Sequence, residues 1–180
     1  VGPGNCMIDE WVRRNSKYKF DQNGLIAKSG KINQLILNQV IDNFEINSFK
    51  KSLDIKNFDI SFARGLSLED GCATITNFTA YLIAQGIKYS NGKNEKPIKF
   101  LLCGGGRKNS SLIQNIRNHL SNNINISLDL IDKYNFNGDY IESQAFGYLA
   151  IRSYLNLPIS YPSTTGCVVP TVGGKLVKNF

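Results

Sequence analysis

The chain has 180 residues, 42% of them hydrophobic, and a formal net charge of +7, which suits one sizeable core and gives no sign of a small second lobe. No run of about 18 apolar residues occurs and the N-terminus lacks the basic, apolar and small-residue order of a secretory leader, so neither membrane nor export is expected and the chain reads as cytoplasmic. The 21 Lys and Arg are scattered among Asn and Ile rather than gathered in one stripe, which disfavours nucleic acid as a partner.

Val1-Gly2-Pro3-Gly4-Asn5 reads as a tight turn, and Met7, Ile8, Trp11 and Val12 follow at helical spacing with Asn5 placed to cap the free amides. A polar link with Asp21-Gln22-Asn23-Gly24 runs to Gly30, and Ile32, Leu35, Ile36 and Val40 then predict one apolar face of a helix closing near Asp42. Between Asn43 and Gly65 the spacing of Phe44, Phe49, Leu53, Phe58 and Phe62 follows no period, which predicts a covering loop with apolar anchors. Ser67 and Asp70 resemble a capping box ahead of a long amphipathic helix carrying Ile75, Phe78, Leu82 and Ile83 and ending near Gly86. After a turn at Asn91-Gly92-Lys93-Asn94, Ile98–Cys103 has the composition of a buried central strand. Leu112, Ile113, Ile116 and Leu120 mark a helix, Ile124–Leu130 a strand, and Ile141–Leu155 an aromatic-rich helix, followed from Pro158 by loop and short extended pieces. The alternation favours an α/β layer structure.

Cys6, Cys72, Cys103 and Cys167 lie far apart and the one histidine, His119, has no paired cysteines beside it, so reduced, mostly buried thiols and a surface histidine are expected and no zinc site. Nor can a Ser-His-Asp or Cys-His arrangement be assembled.

The most informative local feature is Cys103-Gly104-Gly105-Gly106-Arg107-Lys108-Asn109, a strand delivering three glycines to a helix start. Such a junction takes unusual dihedrals and leaves room for a flat ring or phosphate beside unpaired amides. A turn that needs glycine only for packing would use the same residues. The spacing is neither that of a Walker A loop nor that of the dinucleotide fingerprint. Gly2-Pro3-Gly4-Asn5 is a second anion-holding candidate at a helix N-terminus. Glu142, three residues after Asp139, and Asp70 both sit in first turns, where the dipole favours a carboxylate without catalytic duty. Asp9 and Glu10 read as solvated helix face or a local ion pair.

Gly2-Pro3-Gly4-Asn5 with Ile8-Asp9 and Trp11, and Asp21–Gly24 with Ala27 and Gly30, resemble the 1,6-anhydro-N-acetylmuramic acid kinases. The match continues through Lys51-Ser52-Leu53-Asp54, Asp70-Gly71-Cys72-Ala73-Thr74-Ile75-Thr76, Cys103–Arg107 with Asn109, Glu142–Ala150, Asn156-Leu157-Pro158 and Thr165-Gly166. It covers essentially the whole chain, with modest departures at Cys6, Ser143, Gly147 and Cys167.

The resemblance implies the C-terminal, ribonuclease-H-like lobe of a two-lobe kinase of the actin/hexokinase/Hsp70 type, with a mixed central sheet and flanking helices. It implies ATP and Mg2+ as cofactors and 1,6-anhydro-N-acetylmuramic acid as substrate. The reaction would open the anhydro ring with water and phosphorylate the 6-oxygen, giving N-acetylmuramic acid 6-phosphate in cell-wall recycling. The family's catalytic aspartate falls just before the Gly-Pro-Gly-Asn turn, hence before Val1, so no catalytic base is expected within this chain and the chain alone is expected to be inactive. Gly2, Gly4, Asn5, Gly104, Gly105, Gly106 and Asn109 would line the nucleotide side, and Glu142 is a candidate cleft residue. The missing N-terminal lobe is the expected partner, with a homodimer as a further candidate assembly. The competing readings are a non-catalytic nucleotide- or sugar-binding lobe and a basic nucleic-acid-binding domain.

Overall fold

A computed structural model describes residues 3–44, 58–92 and 96–177. Gly2, the anchors Phe49 and Leu53, the Lys51–Asp54 motif and Lys93-Asn94 of the expected turn lie outside the described residues.

The fold is organised by one long helix. Its order is α1 (Cys6–Asn15), α2 (Leu25–Ser29), α3 (Gln34–Asn43), α4 (Leu68–Asn91), β1 (Ile98–Leu102), α5 (Ser110–Leu120), β2 (Ile126–Leu130), α6 (Ile141–Tyr154) and the single turn α7 (Pro162–Thr165). Helix α4 is apolar on two sides and is covered on both. Cys72, Ile75, Phe78 and Leu82 meet Met7, Ile8, Trp11 and Val12 of α1 together with Ala27 and Leu37. Ala80, Ala84 and Ile87 meet Leu112, Ile113, Ile116 and Leu120 of α5, against which Phe100, Leu102, Ile126 and Leu128 of the strands pack. A helix enclosed this way gains from burial as far as Ile87, which carries it past the buried Gly86, and it ends at Asn91, beyond the expected stop.

Close approach of α1 to α4 depends on Gly71. A Cβ there would lie 2.2 Å from the Trp11 ring, and Trp11 in turn donates its indole N–H to the Leu68 carbonyl at 2.9 Å. The start of α4 is capped as expected by Ser67, whose Oγ accepts the Asp70 N–H at 3.1 Å. The Asp70 carboxylate does not complete a box; it accepts the Lys31 N–H at 2.7 Å and so ties the α2–α3 loop to α4.

Three local expectations are corrected. Asn5 precedes α1 in helical geometry and its side chain makes no capping bond. Residues 25–29 form a helix that the polar link concealed, because its cap is the buried Asp21, which accepts from Ile26 N–H at 2.7 Å and Ala27 N–H at 3.1 Å. In α3 the buried residue is Leu37, while Leu35 faces out and Ile32 lies exposed ahead of the helix.

The described sheet has two strands, parallel and in register from Ile98 against Ile126 to Leu102 against Leu130, with α5 as the crossover. Lys99 and Leu101 are exposed while Ile98, Phe100 and Leu102 are half-buried. Strand β1 therefore buries one face and not the two expected of a central strand, since helices cover one side only. The α/β class stands, with a small parallel sheet.

Beyond β2 the chain changes character. No residue of α6 is buried. Its C-terminal half is tied to the tail by Arg152, which bonds the Pro158 carbonyl at 2.7 Å and the Tyr161 hydroxyl at 2.7 Å, and by the antiparallel bridge of Ser160 with Thr171.

Substituting Gly71 with Ala should lower the unfolding free energy by about 1–3 kcal/mol, the usual cost of overpacking a helix contact. Urea denaturation checks this; an unchanged midpoint would mean that Trp11 moves aside freely.

Candidate functional site

Strand β1 ends in the glycine turn. Gly104 has φ +75° and ψ 178°, a region open to glycine alone, although a Cβ there would meet nothing within 4 Å. The constraint is therefore conformational. Gly105 also faces open space, and a Cβ on Gly106 would make only ordinary contacts at 3.7 Å with Asn5 Oδ1 and a Leu112 methyl. None of the three is held glycine by neighbours within the chain, so packing alone does not account for the run.

That open space is a cavity of about 540 Å³. Its walls bring together Gly4, Asn5 and Asp9 from the opening turn and α1, Gly104, Gly105 and Gly106 from the strand end, and Glu142 from the first turn of α6. Of the residues expected at the nucleotide side, Gly4, Asn5, Gly104, Gly105 and Gly106 are assembled and two are not. Gly2 lies outside the described residues. Asn109 is 2% exposed and caps α5, its Oδ1 accepting the Leu112 N–H at 2.9 Å. A Cβ on Gly24 would lie 2.3 Å from Asn109 Oδ1, and Ser110 and Ser111 donate to the Asn23 and Gly24 carbonyls, each at 2.8 Å. The Asp21–Gly24 turn is thereby docked against the helix that follows the glycines.

Arg107 fixes the turn from beneath. Its side chain is only 6% exposed; Nε and Nη2 pair with the two Asp132 oxygens at 2.7 and 3.0 Å, and Nη1 reaches Asp139 Oδ1 at 2.6 Å and the Gly104 carbonyl at 3.0 Å. Lys108 adds a pair with Asp139 at 2.7 Å, and the Gly104 N–H donates to the Gly138 carbonyl at 2.9 Å. Hydrogen bonds from Arg107 hold both carboxyls down at about 2, with Lys108 adding to the effect at Asp139. The sequence marked Arg107 only as part of a motif, because its partners lie in a loop 25 and 32 residues on.

Asp9 was also missed. It is not a solvated ion-pair partner, unlike Glu10, which pairs with Arg14 at 2.5 Å. Asp9 is half-buried, its Oδ1 and that of Asn5 have no protein partner, and burial raises its pKa against the opposing influence of Arg13 and the Asp21 N–H. The usable signal was the four-residue spacing of Asn5 and Asp9, which puts both on one helix face. Among the described residues no group of three or more His, Cys, Asp or Glu could hold a metal. The donor set at the cavity suits a hydrated hard cation carried on phosphates, which needs only one or two carboxylates.

The thiols and the histidine depart from expectation. All four cysteines are free, but Cys6 and Cys103 are exposed at the cavity, Cys167 is half-buried and only Cys72 is buried, pushed above its ordinary range by burial and by the Asp21 carboxylate beside it. His119 is half-buried against Asn77, Nε2 to Oδ1 3.0 Å, and burial lowers its pKa.

The Asp132 and Asp139 carboxyls should contribute stability above about pH 4 that is lost as pH falls from 3.8 towards about 2. Replacing Arg107 with Met should flatten that loss, as read by urea denaturation between pH 5 and pH 2. Equal slopes in the two proteins would show that the clamp is not formed.

A sequence model described as anhydro-N-acetylmuramic acid kinase matches residues 1–179. The chain is 52% identical over 183 aligned residues to a protein of that name from Pelagibacter ubique, with all of this chain and 48% of the relative covered. It is 35% identical to proteins of the same name from Zymomonas mobilis, covering 98% of this chain and 47% of the relative, and from Rhodospirillum rubrum, covering 97% and 45%. The chain spans about half the length of the curated relatives it matches.

Proposed function

Since the chain belongs to the anhydro-N-acetylmuramic acid kinase family, we propose that it forms the nucleotide-side wall of a two-lobe, ribonuclease-H-like sugar kinase that works in the cytoplasm. The whole protein would phosphorylate the 6-oxygen of 1,6-anhydro-N-acetylmuramic acid from ATP while water opens the anhydro ring. The products are N-acetylmuramic acid 6-phosphate and ADP.

One observation supports this reading above the others: separate segments converge on one cavity, two of them glycine turns and the third carrying a carboxylate. The glycines at 104–106 leave a side-chain-free surface against which the adenosine can lie. The opening turn and the N-terminal end of α1 offer backbone amides to the phosphates. Bound magnesium would spread charge over the transferring phosphoryl group, and Asp9 and Asn5, with unpartnered oxygens at the cavity, are the residues that would hold its water shell. Glu142, exposed on the cavity wall, would orient polar groups at the sugar end. Arg107 would act by positioning the turn.

This division of labour leaves the proton-abstracting base to the other half, in keeping with positioning and electrostatics as the main contribution of the nucleotide wall. A non-catalytic binding lobe would share the cavity but would not turn over when completed.

The chain alone should bind ATP weakly and release no ADP, by isothermal titration and a coupled ADP assay. ADP release by the chain alone would overturn the proposed division. Gly105→Val should weaken ATP binding by about tenfold or more, through a side chain projected into the ligand's space, without lowering the melting temperature. Unchanged affinity would remove the glycine turn from the site.

A further inference from the structure

Helix α6 spreads its apolar side chains over several faces, among Glu142, Ser143, Gln144 and Arg152, yet buries none of them. Phe146, Tyr148, Ile151 and Tyr154 are 65, 59, 61 and 72% exposed, and Leu155, just beyond the helix, is 57% exposed. Large apolar side chains left in water on several faces of one helix call for a cover. No helix among the described residues is long and apolar enough to cross a membrane.

The segment is nonetheless held in shape. Arg152 fastens the end of α6 to Pro158 and Tyr161, its guanidinium lies 5.7 Å from the Tyr148 ring centre, and the Ser160–Thr171 bridge returns the tail to that end. These ties are polar, so α6 and the tail form a braced arm that leaves its apolar surface for something else. Exposed patches of this extent mark interaction sites.

We propose that this arm is the docking surface for the other half of the protein, the portion present in the relatives and unmatched by this chain; the inference rests on the two-lobe reading above. Two observations select that occupant over a second copy. The relatives are about twice as long, so in them a segment of comparable size has to be placed. The first turn of α6 carries Glu142 into the cavity wall, so a body seated on α6 stands at the cavity's rim and encloses it. A symmetric pair of arms would cover the same residues and leave that half unplaced.

The test co-expresses this chain with the tagged half of the Pelagibacter ubique relative that it does not match. The two should co-purify in equal amounts. Phe146→Asp with Ile151→Asp should cut recovery of the pair by at least about tenfold, as loss of central apolar anchors does. The same variant alone should keep the parent's melting temperature, because Phe146 and Ile151 are both exposed in the chain by itself. Leu35→Asp, at a site 83% exposed on α3, should leave pairing intact. No co-purification of the parent chains, undiminished pairing of the α6 variant, or equal loss with Leu35→Asp would each overturn the assignment. So would a dimer of this chain, seen by light scattering, that the α6 changes abolish. Sugar-dependent ADP release is measured on the pair: pairing without turnover would sink the kinase reading and leave the docking surface standing. Turnover by the two halves joined in one chain, with charge on α6 harmless, would do the reverse.

Discussion

The buried guanidinium of Arg107 is the contact on which the candidate site depends. It joins the carbonyl of Gly104, whose backbone only glycine can adopt, to Asp132 and Asp139 in the loop before α6. Removing it would leave Asp132 without its cation and Asp139 with Lys108 alone, and would free the Gly104 carbonyl. The planar fork matters as much as the charge, since one side chain satisfies two acids and a carbonyl at once. Through it the strand end and the start of α6, separate in sequence, become one wall.

Below that wall the architecture is a helix sandwich. Helix α4 serves as the floor for both α1 and α5, so the opening turn and the glycine turn are referenced to the same rigid rod. Asn109 completes the frame by capping α5 while meeting Gly24. Motif residues of the family therefore divide into those that face the cavity and those that hold its walls, a division that spacing along the chain does not reveal. The arm formed by α6 and the tail stands outside this frame, which is consistent with a surface completed by chain that lies elsewhere in the relatives.

The elements marked by apolar spacing, composition or a cap residue were legible from the sequence. Helices α1 and α5 carry their buried residues at helical spacing, β2 and α6 were placed within two residues, and Ser67 announced the start of α4. Helix α2 was not legible because its cap, Asp21, stands four residues ahead of it. The length of α4 was not either, since burial on two sides overrides the cost of Gly86.

For the site, sequence by itself determined the family, the glycine junction and the candidates Gly4, Asn5 and Glu142, because these rest on residue identity and order. Only the tertiary structure decided that they share one cavity, that Asn109 is a cap, that Asp9 is half-buried with an unpartnered oxygen, and that Arg107 is the clamp. The physical reason is range. Caps, turns and amphipathic faces act over a few residues and leave a period or a residue type behind. The pairing of Arg107 with acids 25 and 32 positions away exists only once β1, α5 and β2 have brought both ends of the unit to one place.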